Sequence, residues 1–253
     1  MNRKIALITG ATAGIGRETA LLLAQNNYNL ILTGRREERL ESLKDELESA
    51  FECKIMILNF DIRIKLETET ALNSIPEEWK AIDVLLNNAG LAAGIAPVNS
   101  ADVQDWEDMI DTNIKGLLYT TRIVTPWMVE RKSGHIINIS SIAGKESYPN
   151  GSVYCGTKHA VSAISKAMRI ELLPFGIKVS TVAPGAVETE FSLVRFHGDQ
   201  ERANQVYQGF TPLSAKDVAE TILFIISRPA HVNIDDLLIM PTSQASARDF
   251  HRE

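Results

Sequence analysis

Short apolar segments alternate with longer amphipathic segments through the first half of the chain, and this alternation restricts the fold more than any other feature. The apolar segments are IALIT from residue 5, LILT from 30, KIMIL from 54 and IDVLL from 82, and helical patterns cover 14–27, 36–50 and 63–74. Strands that alternate with helices form βαβ units around a parallel sheet. These strands are apolar along nearly their whole length, which is typical of sheets covered on both faces. The sequence therefore predicts an α/β fold with a doubly wound parallel sheet.

A glycine-rich loop follows the first apolar segment and leads directly into a helical pattern. Residues 9–16 read TGATAGIG, with Gly10, Gly14 and Gly16 in a GxxxGxG arrangement. Glycines allow a tight turn, and the N–H groups at the start of the helix can bind a pyrophosphate. An ordinary strand-to-helix turn could contain the same glycines, but a strand before and a helix after the loop are the context of a dinucleotide site. We therefore expect one Rossmann-type domain over residues 1–253.

Two arginines stand where dinucleotide-binding proteins distinguish NAD from NADP. About 20 residues after the glycines, NAD sites carry an acidic residue and NADP sites an arginine. Counting from Gly16 leads to Arg35 and Arg36, and the first carboxylate is Glu37. Guanidinium groups bind phosphate through charge-assisted hydrogen bonds. The arginines could instead begin a charged surface helix, but that reading does not account for the missing acid. The sequence favours NADP.

Composition and charge exclude several classes of protein. The 253 residues are 45% hydrophobic and 23% charged, so a packed core is expected. A net charge of −6 argues against a nucleic-acid or anionic-membrane partner. No stretch reaches 18 consecutive apolar residues, and the apolar run near the N-terminus is too short for a signal peptide. Cys53 and Cys155 have no metal-ligand spacing. We expect a cytoplasmic protein that binds no metal, membrane or nucleic acid.

A tyrosine and a lysine in the second half have the spacing of a proton-transfer site. Tyr154 and Lys158 are four residues apart and share one face if the segment is helical, and Ser141 precedes the tyrosine by thirteen residues. A nearby cation lowers the pKa of a tyrosine from its ordinary value of about 10, which suits a general acid or base. The same pattern also occurs on surface helices, where a lysine extends its charged end into water. The spacing alone leaves both readings open.

These motifs, taken together, resemble the short-chain dehydrogenase/reductase family. In the order of that family, the chain carries TGATAGIG at 9–16, Asp61, NNAG at 87–90, Asn113, Ser141, Tyr154, Lys158 and Pro184-Gly185. The resemblance spans essentially the whole chain. It implies that NADPH supplies a hydride to a carbonyl carbon while Tyr154 supplies a proton. It also implies that Lys158 lowers the pKa of Tyr154, that Ser141 orients the carbonyl, and that Asn113 supports a water beside the lysine.

The same resemblance implies a set of cofactor-binding residues. They are Gly10, Thr12, Gly14, Ile15, Gly16, Arg35, Arg36, Asp61, Ile62, Asn87, Ala89, Gly90, Tyr154, Lys158, Pro184, Gly185, Val187 and Thr189. Asp61 and Ile62 would lie beside the adenine, and Val187 and Thr189 beside the nicotinamide carboxamide.

The second half predicts further elements. A helical pattern covers 103–131, with Trp106, Ile110, Ile114, Leu117 and Leu118 on one buried face and a break at Pro126. Strands are expected from 135, 177 and 233, with a helix over 215–228 and a weakly structured tail from Pro241. Residues 190–211 interrupt the βα rhythm, and irregular stretches of this length are often lids. By resemblance we expect a homotetramer paired through helices near 103–131 and 152–174.

One branch of the short-chain dehydrogenase/reductase family is similar to this chain over longer segments, among them TGRREERLESLKDEL and PAHVNIDDLLIMPTSQ. The branch comprises NADP-dependent 3-hydroxy acid dehydrogenases acting on serine, allo-threonine and 3-oxo acids such as malonic semialdehyde. These substrates carry a carboxylate, for which Arg195 is the candidate partner. An arginine paired within the lid is the other reading of Arg195. Alternative functions are a ketone or 3-oxoacyl reductase and a binding module that senses NADPH.

Overall fold

A computed structural model describes residues 3–253 and contains a central sheet of seven parallel strands with helices on both faces. The strands of this sheet are β1 (Lys4–Thr9), β2 (Tyr28–Gly34), β3 (Ile55–Asn59), β4 (Ile82–Asn87), β5 (His135–Ile139), β6 (Lys178–Pro184) and β9 (Asp236–Ile239). The helices are α1 (Gly14–Gln25), α2 (Glu37–Ala50), α3 (Lys65–Asn73), α4 (Val103–Ile110), α5 (Leu117–Arg131), α6 (Ser152–Leu172), α7 (Phe191–Arg195), α8 (Gln200–Gln205) and α9 (Ala215–Ile226). The predicted doubly wound α/β fold is confirmed.

The strand order is β3-β2-β1-β4-β5-β6-β9. The chain adds β2 and β3 on one side of β1 and then adds β4 and the later strands on the other side, so the order reverses between β1 and β4. In such sheets a crevice opens beyond the carboxyl ends of the strands at this switch point. Successive residues of β1 point to opposite faces, with Ile8 in one apolar core and Leu7 in the other, and both are fully buried. The near-continuous hydrophobicity of the strands thus follows from burial on both sides.

The predicted break in the helix over 103–131 lies elsewhere than expected. Pro126 is inside α5, which continues past it to Arg131. The helix tolerates Pro126 because its ring is on the exposed side, as is Arg122, whose carbonyl loses its N–H partner. The irregularity is instead a π-helical turn at Asp111–Gly116, between α4 and α5.

This π-helical turn also changes which side chains face the core. A π turn holds more residues than an α turn, so a burial pattern counted at 3.6 residues per turn drifts across it. Leu117 is buried as predicted, but Leu118 is 40% exposed, and Trp106, Ile110 and Ile114 are only half-buried. The buried positions of the turn itself are Thr112, Asn113 and Gly116.

Residues 190–211, proposed as a lid, are folded into the short helices α7 and α8. The segment is bracketed by a two-stranded parallel pair, β7 (Val187–Glu188) and β8 (Leu213–Ser214). The tail after Pro241 has little regular structure but is held by hydrogen bonds: the amide of Ala186 donates to the Gln244 side chain at 2.8 Å. No helix within residues 3–253 has the length and apolar character needed to cross a membrane.

Candidate active site

A cleft of about 340 Å³ opens at the carboxyl ends of the central strands. The predicted residues that line it are Gly10, Thr12, Gly14, Ile15, Arg35, Arg36, Asp61, Ile62, Ala89, Gly90, Ser141, Tyr154, Lys158, Pro184, Gly185, Val187 and Thr189. The fold therefore brings together residues that are up to 179 positions apart in the sequence, from Gly10 to Thr189. Their roles stay predictions, but their convergence on one cleft is a property of the structure.

Two of the predicted cofactor residues lie behind the cleft. Gly16 packs against the glycine loop, where an added Cβ would lie 2.4 Å from the carbonyl oxygen of Gly10. It therefore shapes the loop from beneath. Asn87 is buried, and its Nδ2 donates to Thr121 Oγ1 at 3.0 Å and to Asn138 Oδ1 at 2.9 Å. Asn87 thus joins β4 to its neighbours and does not line the cleft.

The next residue, Asn88, lines the cleft, whereas Asn87 is the residue predicted there. Its Nδ2 donates to the carbonyl oxygens of Thr9 at 2.9 Å and of Gly10 at 3.1 Å. Thr9 Oγ1 in turn accepts from the amides of Asn88 and Ala89, both at 3.0 Å. Asn88 therefore fastens the glycine loop to the end of β4. The NNAG motif contains both asparagines, and only the strand's alternation could have separated their roles.

The glycine loop has the features that a dinucleotide pyrophosphate requires. Gly10 and Gly14 have φ angles of +67° and +52°, which side chains with a Cβ rarely adopt. Helix α1 begins at Gly14, and Ala13 before it gives no side-chain cap. The N–H groups of the first turn therefore remain available for an anion. The loop fits the group that the sequence predicts.

Arginines lie where a further phosphate is predicted. Arg36 Nε and Nη2 donate to Thr12 Oγ1 at 3.2 and 2.8 Å, and its Nη1 donates to Glu190 Oε2 at 2.8 Å. Arg39, which the sequence reading missed, donates from Nη1 to both oxygens of Glu190 at 2.8 and 2.9 Å. Arg39 lies in the first turn of α2, three residues after Arg36, and that position is the signal that could have identified it.

Asp61 is held by an arginine beside the cleft. Arg63 donates to it from Nε at 3.0 Å and from Nη2 at 2.7 Å, and Arg35 Nη1 lies 3.7 Å away. Burial alone raises the pKa of Asp61, but the hydrogen bonds from Arg63 outweigh it and hold that pKa below its ordinary value. The carboxylate is therefore charged at neutral pH and fixes the rim of the cleft near Ile62.

Ser141, Tyr154 and Lys158 are buried together, with exposed fractions of 8%, 7% and 5%. Tyr154 and Lys158 lie on α6 and are directed into the cleft, as the i, i+4 spacing predicts. Lys158 Nζ lies 5.9 Å from the centroid of the Tyr154 ring and donates to the carbonyl oxygen of Ile139 at 3.0 Å. The alternative of a solvent-exposed Tyr and Lys is therefore wrong.

The pKa of Tyr154 does not shift in the direction expected from the lysine. Burial raises it well above its ordinary value and Tyr148 adds to this, while Ser141 and Arg195 lower it only in part. Burial lowers the pKa of Lys158 to about 8. Burial disfavours the charged form of both groups and determines the direction of both shifts, so a lowering of the Tyr154 pKa by Lys158 stays a prediction.

Ser141 lies two residues after the end of β5 and immediately before a 3₁₀ turn at Ile142–Gly144. Its Oγ accepts from the amide of Ala143 at 3.1 Å and donates to the carbonyl oxygen of Pro184 at 3.4 Å. The second bond is long, so the hydroxyl can turn towards a ligand at little cost. Ser140 differs, since its Oγ donates to the carbonyl oxygen of Lys158 at 3.1 Å and ties β5 to α6.

Asn113 lies in the π-helical turn and does not line the cleft. Its Oδ1 accepts from the amide of Leu91 and its Nδ2 donates to the carbonyl of Leu91, both at 2.9 Å, and Nδ2 also donates to Thr157 Oγ1 at 3.0 Å. A Cβ added at Gly90 would lie 3.1 Å from Asn113 Oδ1 and 3.3 Å from Lys158 Nζ. Asn113 therefore holds the loop after β4 against the lysine.

Arg195 reaches the same tyrosine from the segment over the cleft. Its guanidinium carbon lies 5.5 Å from the centroid of the Tyr154 ring, and its Nη2 donates to Tyr148 Oη at 2.7 Å. Its Nε is buried and has no partner within residues 3–253. Tyr148, which the sequence reading missed, connects Arg195 to the loop before α6. Within the same residues no cluster of His, Cys, Asp and Glu could hold a metal ion.

Comparison with known proteins identifies the family. Residues 4–199 match the family model described as short chain dehydrogenase. The chain belongs to the short-chain dehydrogenase family. This confirms the resemblance found in the sequence, and with it the prediction of an oxidoreductase that acts on CH–OH groups.

Members of the short-chain dehydrogenase family align with this chain along nearly its whole length. The NADP-dependent 3-hydroxy acid dehydrogenase YdfG of Escherichia coli K12 is 47% identical over 251 residues, covering 98% of this chain and all of that protein. A probable NADP-dependent dehydrogenase of Haemophilus influenzae is 48% identical over 248 residues, covering 98% of this chain and 97% of that protein. The closed form of serine dehydrogenase complexed with NADP+ has 47% identity and a TM-score of 0.91, covering 98% of this chain and 100% of that one.

Proposed function

We propose that the protein interconverts the hydroxyl and carbonyl groups of a small 3-hydroxy acid with NADP as its cofactor. The substrates proposed are serine, allo-threonine and the 3-hydroxypropionate and malonic semialdehyde pair. One observation carries this proposal: the buried Tyr154 and Ser141 line the cleft that also contains Arg35 and Arg36, and the guanidinium carbon of Arg195 lies 5.5 Å from the centroid of the Tyr154 ring. The similar proteins named above as 3-hydroxy acid and serine dehydrogenases support it.

NADP rather than NAD follows from the arginines beyond β2. Arg35 and Arg36 line the cleft at the position of the acidic residue of NAD sites. Both relatives reported above are named as NADP-dependent, and the solved serine dehydrogenase is complexed with NADP+. When bound, the nicotinamide supplies or accepts the hydride, and the protein supplies orientation and a proton.

Tyr154 is the proposed general acid in carbonyl reduction and the general base in alcohol oxidation. Because burial raises its pKa, its hydroxyl stays protonated at neutral pH and can give its proton to a carbonyl oxygen. Ser141, with its long bond to Pro184, would donate to the same oxygen and hold it beside the tyrosine. Lys158 is proposed to replace the proton of Tyr154, since a lysine with a pKa of about 8 exchanges protons readily near neutral pH. Asn113 is proposed to position this lysine through Leu91 and Gly90.

Arg195 is proposed to bind the substrate carboxylate. Arginine matches a carboxylate with two parallel hydrogen bonds. Its buried Nε has no partner within residues 3–253, and an unpaired donor in this position favours an anionic ligand. We also propose that residues 190–211, which carry Arg195, act as the substrate lid, and that helices near 103–131 and 152–174 pair in a homotetramer.

Tyr154→Phe tests the catalytic assignment. The variant should fold and bind NADPH as the wild type does, since the ring is retained, but its kcat for malonic semialdehyde should fall at least about 100-fold because the proton donor is lost. NADPH absorbance measures turnover, and fluorescence titration measures binding. Turnover close to that of the wild type would refute the role of Tyr154. NADPH binding with no turnover of any hydroxy acid or ketone by the wild type would favour the sensing module instead.

Arg195→Leu tests the substrate class. Loss of a charged hydrogen-bond partner should raise the KM for L-serine or malonic semialdehyde about 10- to 100-fold and leave the KM for a neutral ketone nearly unchanged. Arg202→Leu is the matched control, because Arg202 stacks on Phe196 in the same segment, 4.5 Å from the ring centroid. Equal effects on acidic and neutral substrates would show that Arg195 only supports the fold of the segment. A wild type that prefers neutral ketones would favour the ketone or 3-oxoacyl reductase.

A further inference from the structure

A carboxylate of the protein is bound to arginines at the site proposed for the 2′-phosphate, the group by which NADP differs from NAD. Glu190 accepts from Arg36 Nη1 at 2.8 Å and from Arg39 Nη1 at 2.8 and 2.9 Å. It lines the same cleft as Arg35 and Arg36. An anion of the protein therefore lies where an anion of the cofactor is expected.

The hydrogen bonds of Arg36 show that the two anions compete. Its Nε and Nη2 are directed to Thr12 Oγ1, and its Nη1 is directed to Glu190. Arginine binds a phosphate best through parallel N–H donors of the guanidinium fork. Both edges of the Arg36 guanidinium are therefore in use, and a phosphate that binds through Nη1 has to displace Glu190.

The contact is of a kind that a phosphate can displace. The side chains of Arg36, Arg39 and Glu190 are 44%, 47% and 44% exposed, and water screens salt bridges with this exposure. The hydrogen bond from Arg36, supported by that from Arg39, holds the pKa of Glu190 below its ordinary value, so the carboxylate is charged at neutral pH. A phosphate with nearly two negative charges attracts the arginines more strongly than one carboxylate does.

The position of Glu190 in the chain links this site to the catalytic end of the cleft. Glu190 is the residue immediately before α7, and its carbonyl oxygen accepts from the amide of Val194 at 3.0 Å. Arg195 ends the same helix and reaches over Tyr154. The arginines therefore anchor the first residue of the proposed lid.

We propose that Glu190 is a specificity-determining residue for the 2′-phosphate: its carboxylate holds the anion position on Arg36 and Arg39 until the phosphate of the cofactor replaces it. This inference rests on the proposed function, because it takes NADP as the cofactor. A ligand without the 2′-phosphate leaves Glu190 in place. Glu190 therefore weakens the binding of 2′-phosphorylated ligands selectively and releases the start of the lid only for them.

Calorimetric titration with adenosine 2′,5′-bisphosphate and with ADP tests this without turnover. Glu190→Gln should bind the bisphosphate roughly two- to fivefold more tightly than the wild type, the range set by an exposed ion pair, and should bind ADP equally. Glu190→Asp withdraws the carboxylate by one methylene group and should give an intermediate gain. Glu188→Gln is the matched control, since it removes the same charge from an exposed position two residues earlier, and it should match the wild type with both ligands.

The proposal is overturned if Glu190→Gln binds the bisphosphate no more tightly than the wild type, or if Glu188→Gln gives the same gain. Weaker binding by Glu190→Gln would also overturn it, since Glu190 would then support the arginines. A wild type that binds the bisphosphate no better than AMP, which lacks only the 2′-phosphate, would refute NADP as the cofactor, and this proposal with it. Thermal unfolding checks that each variant folds. If Glu190→Gln does not fold, Glu190→Asp is tested in its place.

Discussion

Tyr154 and Lys158 lie in the same buried pocket, and burial moves their pKa values in opposite directions. The pKa of the tyrosine rises and that of the lysine falls to about 8, so both groups shift towards their neutral forms. A phenolate paired with an ammonium is therefore not the resting state of the protein alone. The i, i+4 spacing correctly predicts that the two side chains share a face. It contains no information about burial, which comes from tertiary packing and here decides both shifts.

Lys158 should make the stability of the protein depend on alkaline pH. The folded protein loses this proton near pH 8, whereas the ordinary value for lysine is 10.5. Between these values the unfolded chain binds more protons, so the free energy of unfolding should rise with pH. The rise should be about 3 kcal/mol over the whole interval, at roughly 1.4 kcal/mol per pH unit.

Urea unfolding of the wild type and Lys158→Met, from pH 7 to pH 10, measures this effect. The variant should be the more stable protein at pH 7, and the wild type should gain on it steadily above pH 8. Lys166→Met, which removes a charge from the exposed face of the same helix, corrects for general effects of charge. If the free energies of unfolding of the wild type and Lys158→Met change equally with pH, the pKa of Lys158 is not lowered by folding.

The sequence alone cannot distinguish the roles of adjacent residues of the same type. Asn87 and Asn88 are both candidates from NNAG, and the structure brings only Asn88 to the cleft. Strand β4 ends at Asn87, whose side chain still alternates into the interior, and this settles the difference. Glu190 and Arg39 lie 151 residues apart, and no local pattern indicates that they meet.

At the scale of the element, the regular parts of the fold could be predicted and the irregular parts could not. The strands that contain IALIT, LILT and KIMIL lie within two residues of the apolar segments, because strands covered on both faces are apolar along nearly their whole length. The break expected at Pro126 is wrong because an exposed proline can remain in a helix that packs well on its other side. The true irregularity at Asp111–Gly116 follows from a tertiary demand: it accompanies the bonds of Asn113 to the loop at Leu91.

The segment over the cleft shows the same division. An interruption of the βα rhythm at 190–211 could be predicted, but its short helices could not, because five- and six-residue helices have little intrinsic stability. Contacts at both ends hold α7: Glu190 with the arginines, and Arg195 with Tyr148. The element therefore owes its structure to the cleft that it covers.

At the scale of the whole molecule, large apolar side chains remain exposed on the helices predicted to pair between subunits. Ile170 on α6 is 74% exposed and Leu118 on α5 is 40% exposed. Single exposed apolar residues are common, and Leu66 on α3 is another, so these two residues mark only where the predicted pairing can be tested. An interface with two-fold symmetry places the same surface of each subunit against its partner. These two positions are therefore the places at which to test the homotetramer.

Ile170→Glu combined with Leu118→Glu should dissociate the predicted tetramer into dimers or monomers of the 28.0 kDa chain. Burying unpaired carboxylates between subunits is strongly unfavourable, whereas the same charges cost little on the surface of one subunit. Urea unfolding should therefore stay cooperative while the mass measured by light scattering falls. Leu66→Glu is the matched control, because Leu66 is 72% exposed on α3, outside the predicted pairing helices. Dissociation by Leu66→Glu alone, or a wild type of one-chain mass, would contradict pairing through α5 and α6.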